Sequence, residues 1–161
     1  MFDEKSTVYI KTPLGIAKIQ GDENGISGIS IADDGTVSDS VPEVLHQAVS
    51  QLNDYFEGKR TDFDFKLNPS GTEFQQKVWK ALLEIPFGKT MSYLDLSKKL
   101  GDVKAIRAVA SANGKNPFWI VVPCHRVIGS NGSLTGYAGG LWRKKWLLEH
   151  ENPSRKQELL F

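Results

Sequence analysis

The sequence predicts an α+β chain in two parts, a small sheet-and-helix domain followed by a helical domain that contains a helix-turn-helix. Three observations predict it. Over the first third, short apolar-polar alternations are separated by Gly, Asn and Asp turn signals. After residue 71, capping-box residues introduce runs of helical periodicity. The charge also reverses between the two parts: residues 1–70 carry 6 Lys/Arg against 12 Asp/Glu, and residues 71–161 carry 14 against 7. The whole-chain net charge of +1 hides this split, which hints at a basic half that meets nucleic acid or a membrane surface.

Taken in order, Val8 and Ile10 alternate with polar neighbours up to the turn Thr12-Pro13-Leu14-Gly15. A second strand follows through Ile16 and Ile19. Asp22-Glu23-Asn24-Gly25 turns the chain into a third, with apolar residues at Ile26, Ile29 and Ile31. Behind Pro42, the spacing of Val44, Leu45, Ala48, Leu52, Tyr55 and Phe56 predicts a helix that Gly58 stops. Phe63, Phe65 and Leu67 alternate with charged residues and predict one more strand. Asn68-Pro69-Ser70-Gly71 is a breaker cluster where the charge changes sign, so the boundary is placed there: 1–70 as a supporting domain, 71–153 as the second domain, 154–161 as a tail.

In the second domain, Thr72-x-x-Gln75 is a capping box, with Phe74, Val78, Leu82 and Ile85 on one helical face. Ser92-x-x-Asp95 is another, leading to a short helix that Gly101 stops. Val103 to Asn113 predicts a third helix, ended by Gly114. Two short helices joined by a Gly-containing turn fit a helix-turn-helix. Leu141 to Glu149 predicts the last helix, with Trp142, Trp146 and Leu147 assigned to the core.

Composition excludes several classes. One cysteine permits neither an intrachain disulfide nor a dithiol redox pair, and Cys124 with His46, His125 and His150 makes a Cys-rich zinc site a poor fit. The N-terminus has no signal-peptide pattern, and no apolar run approaches the roughly 18 residues of a membrane span. An intracellular, reducing compartment is the expectation.

The third helix is thin. Ile106, Val109 and Ala110 can serve the core, which leaves Ala105, Ala108, Ala112 and Arg107 toward the other side. Small residues allow a close approach to another surface, and one long arginine suits a narrow groove read by shape and insertion. Tight helix–helix packing with a solvated Arg107 explains the same residues.

The most informative segment runs from Asn116 through an apolar stretch, read as a buried strand, into Pro123-Cys124-His125-Arg126-Val127. A lone cysteine is most often an inert hydrophobe. Basic neighbours favour thiolate, and a cysteine with a histidine is the minimum for a nucleophile and base. Sequence neighbours in an extended chain point to opposite sides, so a direct Cys124–His125 bond needs a bent backbone; otherwise water relays the proton. The relay is preferred. The histidine needs an orienting group, and Glu149 or Glu151 can supply it. Glycines around Tyr137 read either as a plain surface loop or as a loop that closes on a flat ligand.

Pro123-Cys124-His125-Arg126-Val127 resembles the active-site signature of O6-alkylguanine-DNA alkyltransferases. Gly114-Lys115-Asn116-Pro117 before it, and Gly136-Tyr137-Ala138-Gly139-Gly140-Leu141 and Lys145 to Glu151 after it, extend the match over residues 71–151. The resemblance implies an RNase H-like N-terminal domain and a winged-helix-like second domain, single-turnover transfer of an alkyl group to Cys124, and no cofactor. It implies minor-groove binding through the helix-turn-helix and, as partner, double-stranded DNA containing O6-alkylguanine. Arg107 matches an arginine finger and Tyr93 a tyrosine that helps rotate the nucleotide and hydrogen-bonds the flipped base. Ala105 and Ala108 lie on the groove-facing side. His125 and Glu151 match the water relay, which favours Glu151 over Glu149. Asn116 matches the asparagine that braces the active-site turn. Backbone groups of Cys124, Val127 and Ala138 would read the guanine edge, with Tyr137 lining the pocket. The cysteines of the zinc site found in some members are missing, so no metal is expected, and the protein is taken as monomeric. Two other classes stay on the table: a damage-recognition module without chemistry, which a tryptophan in place of Cys124 would favour, and a Cys–His hydrolase, which leaves the basic helix-turn-helix half unexplained.

Overall fold

The computed structural model describes residues 5–132, 134, 137 and 139–154, and the chain divides into two compact units. One comprises residues 1–70 with Pro117–Trp119, the other residues 71–116 and 120–161. Pro117–Trp119 therefore departs from the sequence division, which gave these residues to the second domain.

In the first unit β1 (Ser6–Thr12), β2 (Gly15–Asp22) and β3 (Gly25–Ala32) form an antiparallel meander in the order β1-β2-β3. Val8 faces Ile19 and Ile10 faces Ala17 across β1 and β2, and all four are buried, as the period-two pattern demands. A single 3-10 turn leads into α1 (His46–Phe56), which buries Ala48, Val49, Leu52 and Tyr55 on one side. Residues 63–67 do not form the strand that their alternation predicted. Only Leu67 bridges to Ile26, with Lys66 and Asn68 bonding the Ile26 backbone. Phe63 and Phe65 instead join Tyr55 in an aromatic cluster, so ring packing took over where pairing was expected. On the same strand, Ile29 exchanges backbone bonds of 2.8 and 3.1 Å with Pro117 and Trp119. Short segments thus occupy the free edge of β3, an edge that would otherwise invite pairing with another chain.

The second unit holds α2 (Glu73–Leu82), β4 (Met91–Ser92), α3 (Tyr93–Lys99), α4 (Ile106–Gly114), β5 (Val127–Ile128) and α5 (Leu141–Glu151). The Thr72 capping box is complete: Thr72 Oγ1 accepts from the Gln75 N–H, and Gln75 Oε1 accepts from the Thr72 N–H. Phe74, placed on the inner face by spacing, is an exposed residue of the first turn. Ser92 caps α3 by accepting from the Asp95 N–H.

The connection between α3 and α4 is written into two residues. Gly101 adopts φ 92°, and the Gly101 and Asp102 amides bond back to Lys98 and Ser97, closing a Schellman motif. Asp102 then turns round to cap the next segment, its carboxylate accepting from the Lys104 N–H at 2.9 Å. One 3-10 turn at Val103–Ala105 precedes α4. The α3–α4 pair, with its two caps and intervening glycine, is consistent with the expected helix-turn-helix. The Trp79 indole on α2 donates to the Ala112 carbonyl at 2.8 Å and ties down the last turn of α4. No helix among the described residues is long and apolar enough to cross a membrane.

Two packing expectations change in this unit. Ala112 is 2% exposed, inside rather than on the outer face, while Ala110 is outside. Ala112 and Asn113 lie three and four residues after the buried Val109, on the same helical face, which leaves Ala110 outside. Trp142, assigned to the core, is 52% exposed, with the Arg143 guanidinium over its ring at 4.6 Å. The inner face of α5 is instead Lys144, Leu147, Leu148 and Glu151, the i, i+3, i+4, i+7 stripe of a helix. Two of those four are charged.

Candidate active site

The apolar stretch before Cys124 is not the buried strand expected. From Ser111 on, backbone bonds and bends carry the chain through Asn116 to Trp119 and back, with Ile120 at φ 71°. A β-branched residue there is strained, at a cost of about 1–3 kcal/mol that surrounding structure must offset. Asn116 supplies part of that support, its Nδ2 donating to the Val122 carbonyl at 2.7 Å. Pro123, at φ −82° and ψ 64°, centres an inverse γ-turn closed by Cys124 N–H to Val122 O at 2.8 Å. A single 3-10 turn, Cys124–Arg126, follows. The backbone is therefore bent at the cysteine, and the opposite-sides geometry of an extended chain does not apply. His125 nevertheless turns to Glu151.

Val127 leaves this turn as β5 and pairs in parallel with Met91, as Ile128 does with Ser92. That short ladder connects the cysteine turn to the N-terminus of α3, where Tyr93 is the first residue. Both backbone groups of Val127 are engaged: the N–H bonds the Cys124 carbonyl, and the carbonyl accepts from Lys144 Nζ at 2.6 Å. Of the groups expected to read a guanine edge, the Val127 N–H is thus committed, and Ala138 lies outside the described residues. Tyr137 is half-buried, and Gly139 leaves room for its ring, since a Cβ there would meet Tyr137 Cε2 at 2.9 Å.

Behind the cysteine is a buried ionic cluster. His125, with no exposed surface, bonds through Nε2 to Glu151 Oε2 at 2.7 Å. Arg126 donates to both carboxylate oxygens, Nε to Oε1 at 2.7 Å and NH2 to Oε2 at 3.0 Å, and its NH1 donates to the Ile85 carbonyl at 2.7 Å. Burial works against the Glu151 carboxylate, but His125 and the bidentate Arg126 overcome it and hold its acid well below the usual range. Burial pushes the His125 imidazolium down; Arg126 and Lys144 add to this, and Glu151 only partly opposes it. The resulting pattern is an ionised carboxylate and a neutral imidazole. Nε2–H donates to Glu151, which leaves the Nδ1 lone pair as the basic site. Nδ1 is buried with no hydrogen-bond partner among the described residues.

The thiol itself is nearly buried, at 8% exposure. Burial pushes Cys124 up, while the Asn116 side chain and the Lys144 charge pull it down. Local sequence does not mark Lys144 for the site, because lysines on terminal helices are usually solvated. The signal was available: it lies on the same helical stripe as Leu147, Leu148 and Glu151. It has no exposed surface and is lowered to about 8, burial being the main cause and the nearby Cys124 opposing it. In the sequence Arg126 is only a charge beside the thiol; its clamp on Glu151 follows from the turn.

The expected residues therefore fall into two groups. Cys124, Asn116, His125, Glu151, Val127 and Tyr93 are drawn together by the cysteine turn, the β4–β5 ladder and α5. Arg107 and Ala108 are exposed on α4 and Ala105 is half-buried, and among the described residues Arg107 makes no hydrogen bond or ion pair. Glu149, the rejected orienting group, faces Lys145 at 3.9 Å.

Lys144 has a measurable consequence for stability. Between about pH 8 and pH 10 the folded protein holds this amine neutral while the unfolded chain keeps it charged. The unfolded state then binds more protons, so stability rises with pH through that window, by up to about 1.4 kcal/mol per unit. Relative to a Lys144→Met variant, the wild type is expected to gain urea resistance from pH 8 to pH 9.5. A parallel pH dependence in both proteins would show that Lys144 is not the group.

One unit thus carries a buried thiol, a neutral imidazole held by a carboxylate and a helix pair consistent with a helix-turn-helix. The family models described as 6-O-methylguanine DNA methyltransferase, ribonuclease-like domain and DNA binding domain match residues 6–69 and 73–153. The chain is 47% identical over 148 residues to the methylated-DNA–protein-cysteine methyltransferase of Methanosarcina acetivorans, covering 88% of this chain and 94% of that protein. To the protein of that name in Mycobacterium tuberculosis it is 53% identical over 118 residues, 73% of this chain and 72% of the other. The crystal structure of Mycobacterium tuberculosis O6-methylguanine methyltransferase matches with a TM-score of 0.83 at 44% identity, over 93% of this chain and 94% of that one. A structure of Mycobacterium tuberculosis OGT in complex with DNA also gives 0.83 at 44%, over 91% and 93%. This chain belongs to the 6-O-methylguanine DNA methyltransferase family.

Proposed function

We propose that the protein repairs O6-alkylguanine in DNA by moving the alkyl group irreversibly onto Cys124 Sγ. The observation that carries this reading is the buried His125–Glu151 pair directly behind the turn that presents Cys124, on the unit that also holds the α3–α4 helix pair. Residues 71–153 are assigned the DNA-binding and transfer roles and residues 1–70 a supporting one, inside the cell where the DNA is.

The chemistry follows from the protonation pattern. His125 Nδ1 takes the Cys124 proton through a bridging water, and Glu151 stabilises the imidazolium that forms. Sγ attacks the alkyl carbon, the C–O6 bond breaks, and its electrons pass to the guanine. Tyr93 donates its phenol proton to N3 of the leaving base, and proton exchange with water later restores Tyr93 and His125. The product is a thioether. No second thiol exists in the 161 residues to remove the alkyl group, so each molecule acts once. Lys144, beside the thiol, favours the thiolate over the thiol. The Val127 and Ala138 backbone and Tyr137 are assigned to the base pocket, although the Val127 carbonyl has only its second lone pair to offer.

The target must leave the helix first, at a cost of a few kcal/mol. Arg107, exposed on a thin helix flanked by Ala105 and Ala108, suits insertion into the space that the base vacates. The test of the transfer step is the mass of the protein after incubation with a methylated duplex. One methyl per chain, on the peptide containing Cys124, is expected; several turnovers per molecule would sink the reading. For Arg107→Ala, repair of duplex is expected to fall at least about tenfold, while reaction with free O6-benzylguanine, which needs no flipping, changes little. Equal losses on both substrates would make Arg107 structural.

A further inference from the structure

The proposed function uses the Tyr93 hydroxyl as a proton donor but leaves open what directs that proton. Asn113, in the last turn of α4, is 2% exposed, and its Nδ2 donates to the Tyr93 oxygen at 3.3 Å. Its Oδ1 is also buried and has no hydrogen-bond partner among the described residues. A buried acceptor left in that state is unfavourable. The neighbouring residue, Ala112, is held by the Trp79 indole, so Asn113 is presented by an anchored turn. Lys144 Nζ stands 6.0 Å from the centre of the Tyr93 ring.

We propose that Asn113 is a positioning residue that turns the Tyr93 hydroxyl proton toward the departing guanine. A phenol oxygen both accepts and donates. An amide N–H that occupies the accepting side cannot take the phenol proton, which must then point elsewhere. A bond donated to the oxygen also stabilises the phenolate that forms as the proton leaves. The Lys144 charge near the ring works in the same direction. The opposite amide orientation would satisfy Oδ1 but would set an acceptor against the phenol proton.

This inference rests on the alkyl-transfer reading, and its test separates the two. The rate of Cys124 benzylation is followed by mass with free O6-benzylguanine and with an analogue bearing an electron-withdrawing group at C8, whose leaving anion is less basic. Asn113→Leu, nearly isosteric, is expected to slow the first reaction about tenfold and the second much less, because a weaker base needs less proton donation. Asn113→Asp, which accepts from Tyr93 and pins its proton, is expected to slow the first at least as much, and it keeps the test alive should the leucine variant not fold. In a Tyr93→Phe background either substitution should change the rate less than about twofold. Equal losses on both purines, or full losses in the Tyr93→Phe background, would overturn the positioning role while leaving alkyl transfer intact. Absence of Cys124 benzylation in the wild type would overturn alkyl transfer itself.

Discussion

Cys124→Ala is expected to remove alkyl transfer entirely while leaving the protein folded and able to bind DNA. The turn that presents residue 124 is built from the Pro123 γ-turn, the Asn116 brace and the bond from the Val127 N–H, and alanine is compatible with all three. The His125–Glu151–Arg126 cluster does not use Sγ for any of its bonds. The lost packing of one sulfur costs about 1 kcal/mol, small beside a domain stability of about 5–15 kcal/mol. What disappears is the atom that forms the new bond, and the sequence holds no other thiol to replace it. The readouts are protein mass after exposure to methylated duplex, the melting temperature, and DNA binding at fixed salt, since phosphate contacts make affinity salt-dependent. Methylation of the variant at one group per chain would place the nucleophile elsewhere.

Glu151→Gln is expected to produce the largest loss of stability from a single exchange of nearly equal size. Glu151 accepts from His125 and twice from Arg126, and all three side chains are buried. Glutamine keeps the shape but leaves the Arg126 guanidinium in the interior without its counter-charge. Breaking a buried pair in this way costs about 3–5 kcal/mol, much of a domain's whole margin. Paired replacement, Arg126→Met with Glu151→Met, should cost clearly less than Glu151→Gln alone, since it removes the stranded charge. The urea midpoints of the three proteins check this. An unchanged midpoint for Glu151→Gln would mean that the cluster contributes nothing. Alkyl transfer, measured where the variant is still folded, should also slow, because a neutral amide in place of the carboxylate cannot stabilise the imidazolium.

The acid limb of stability has the same origin. Glu151 is held well below its unfolded value, so its contribution is fully present above the ordinary carboxylate range and is lost as pH falls toward its folded value. His125 adds to the acid sensitivity. Its folded value is lowered, so acid favours the unfolded state, which binds the extra proton below the ordinary imidazole range.

Much of the second unit was legible locally. Thr72, Ser92, Gly101 and Asp102 each act on backbone within a few residues, so helix starts and the turn of the helix-turn-helix could be read directly. The same holds for β1, β2 and β3, whose alternation shows which side is buried. Local rules failed where a distant partner decided the outcome. Phe63 and Phe65 alternate like strand residues but pack as rings, Phe63 against Tyr55 of α1. Trp142 is apolar but stands outside, because Lys144, Leu147, Leu148 and Glu151 hold the inner face of α5.

The sequence by itself determined the candidate nucleophile and the motif around it, because a single thiol beside His125 and Arg126 is a local statement. It also determined the charge split and the helix-turn-helix, for the same reason. Only the tertiary structure decided the protonation states. Whether His125 is neutral, whether Glu151 is ionised and whether Lys144 is strained toward its free base depend on burial and on partners 17 to 26 residues apart. Desolvation and charge pairing act through space, so no reading along the chain can supply them.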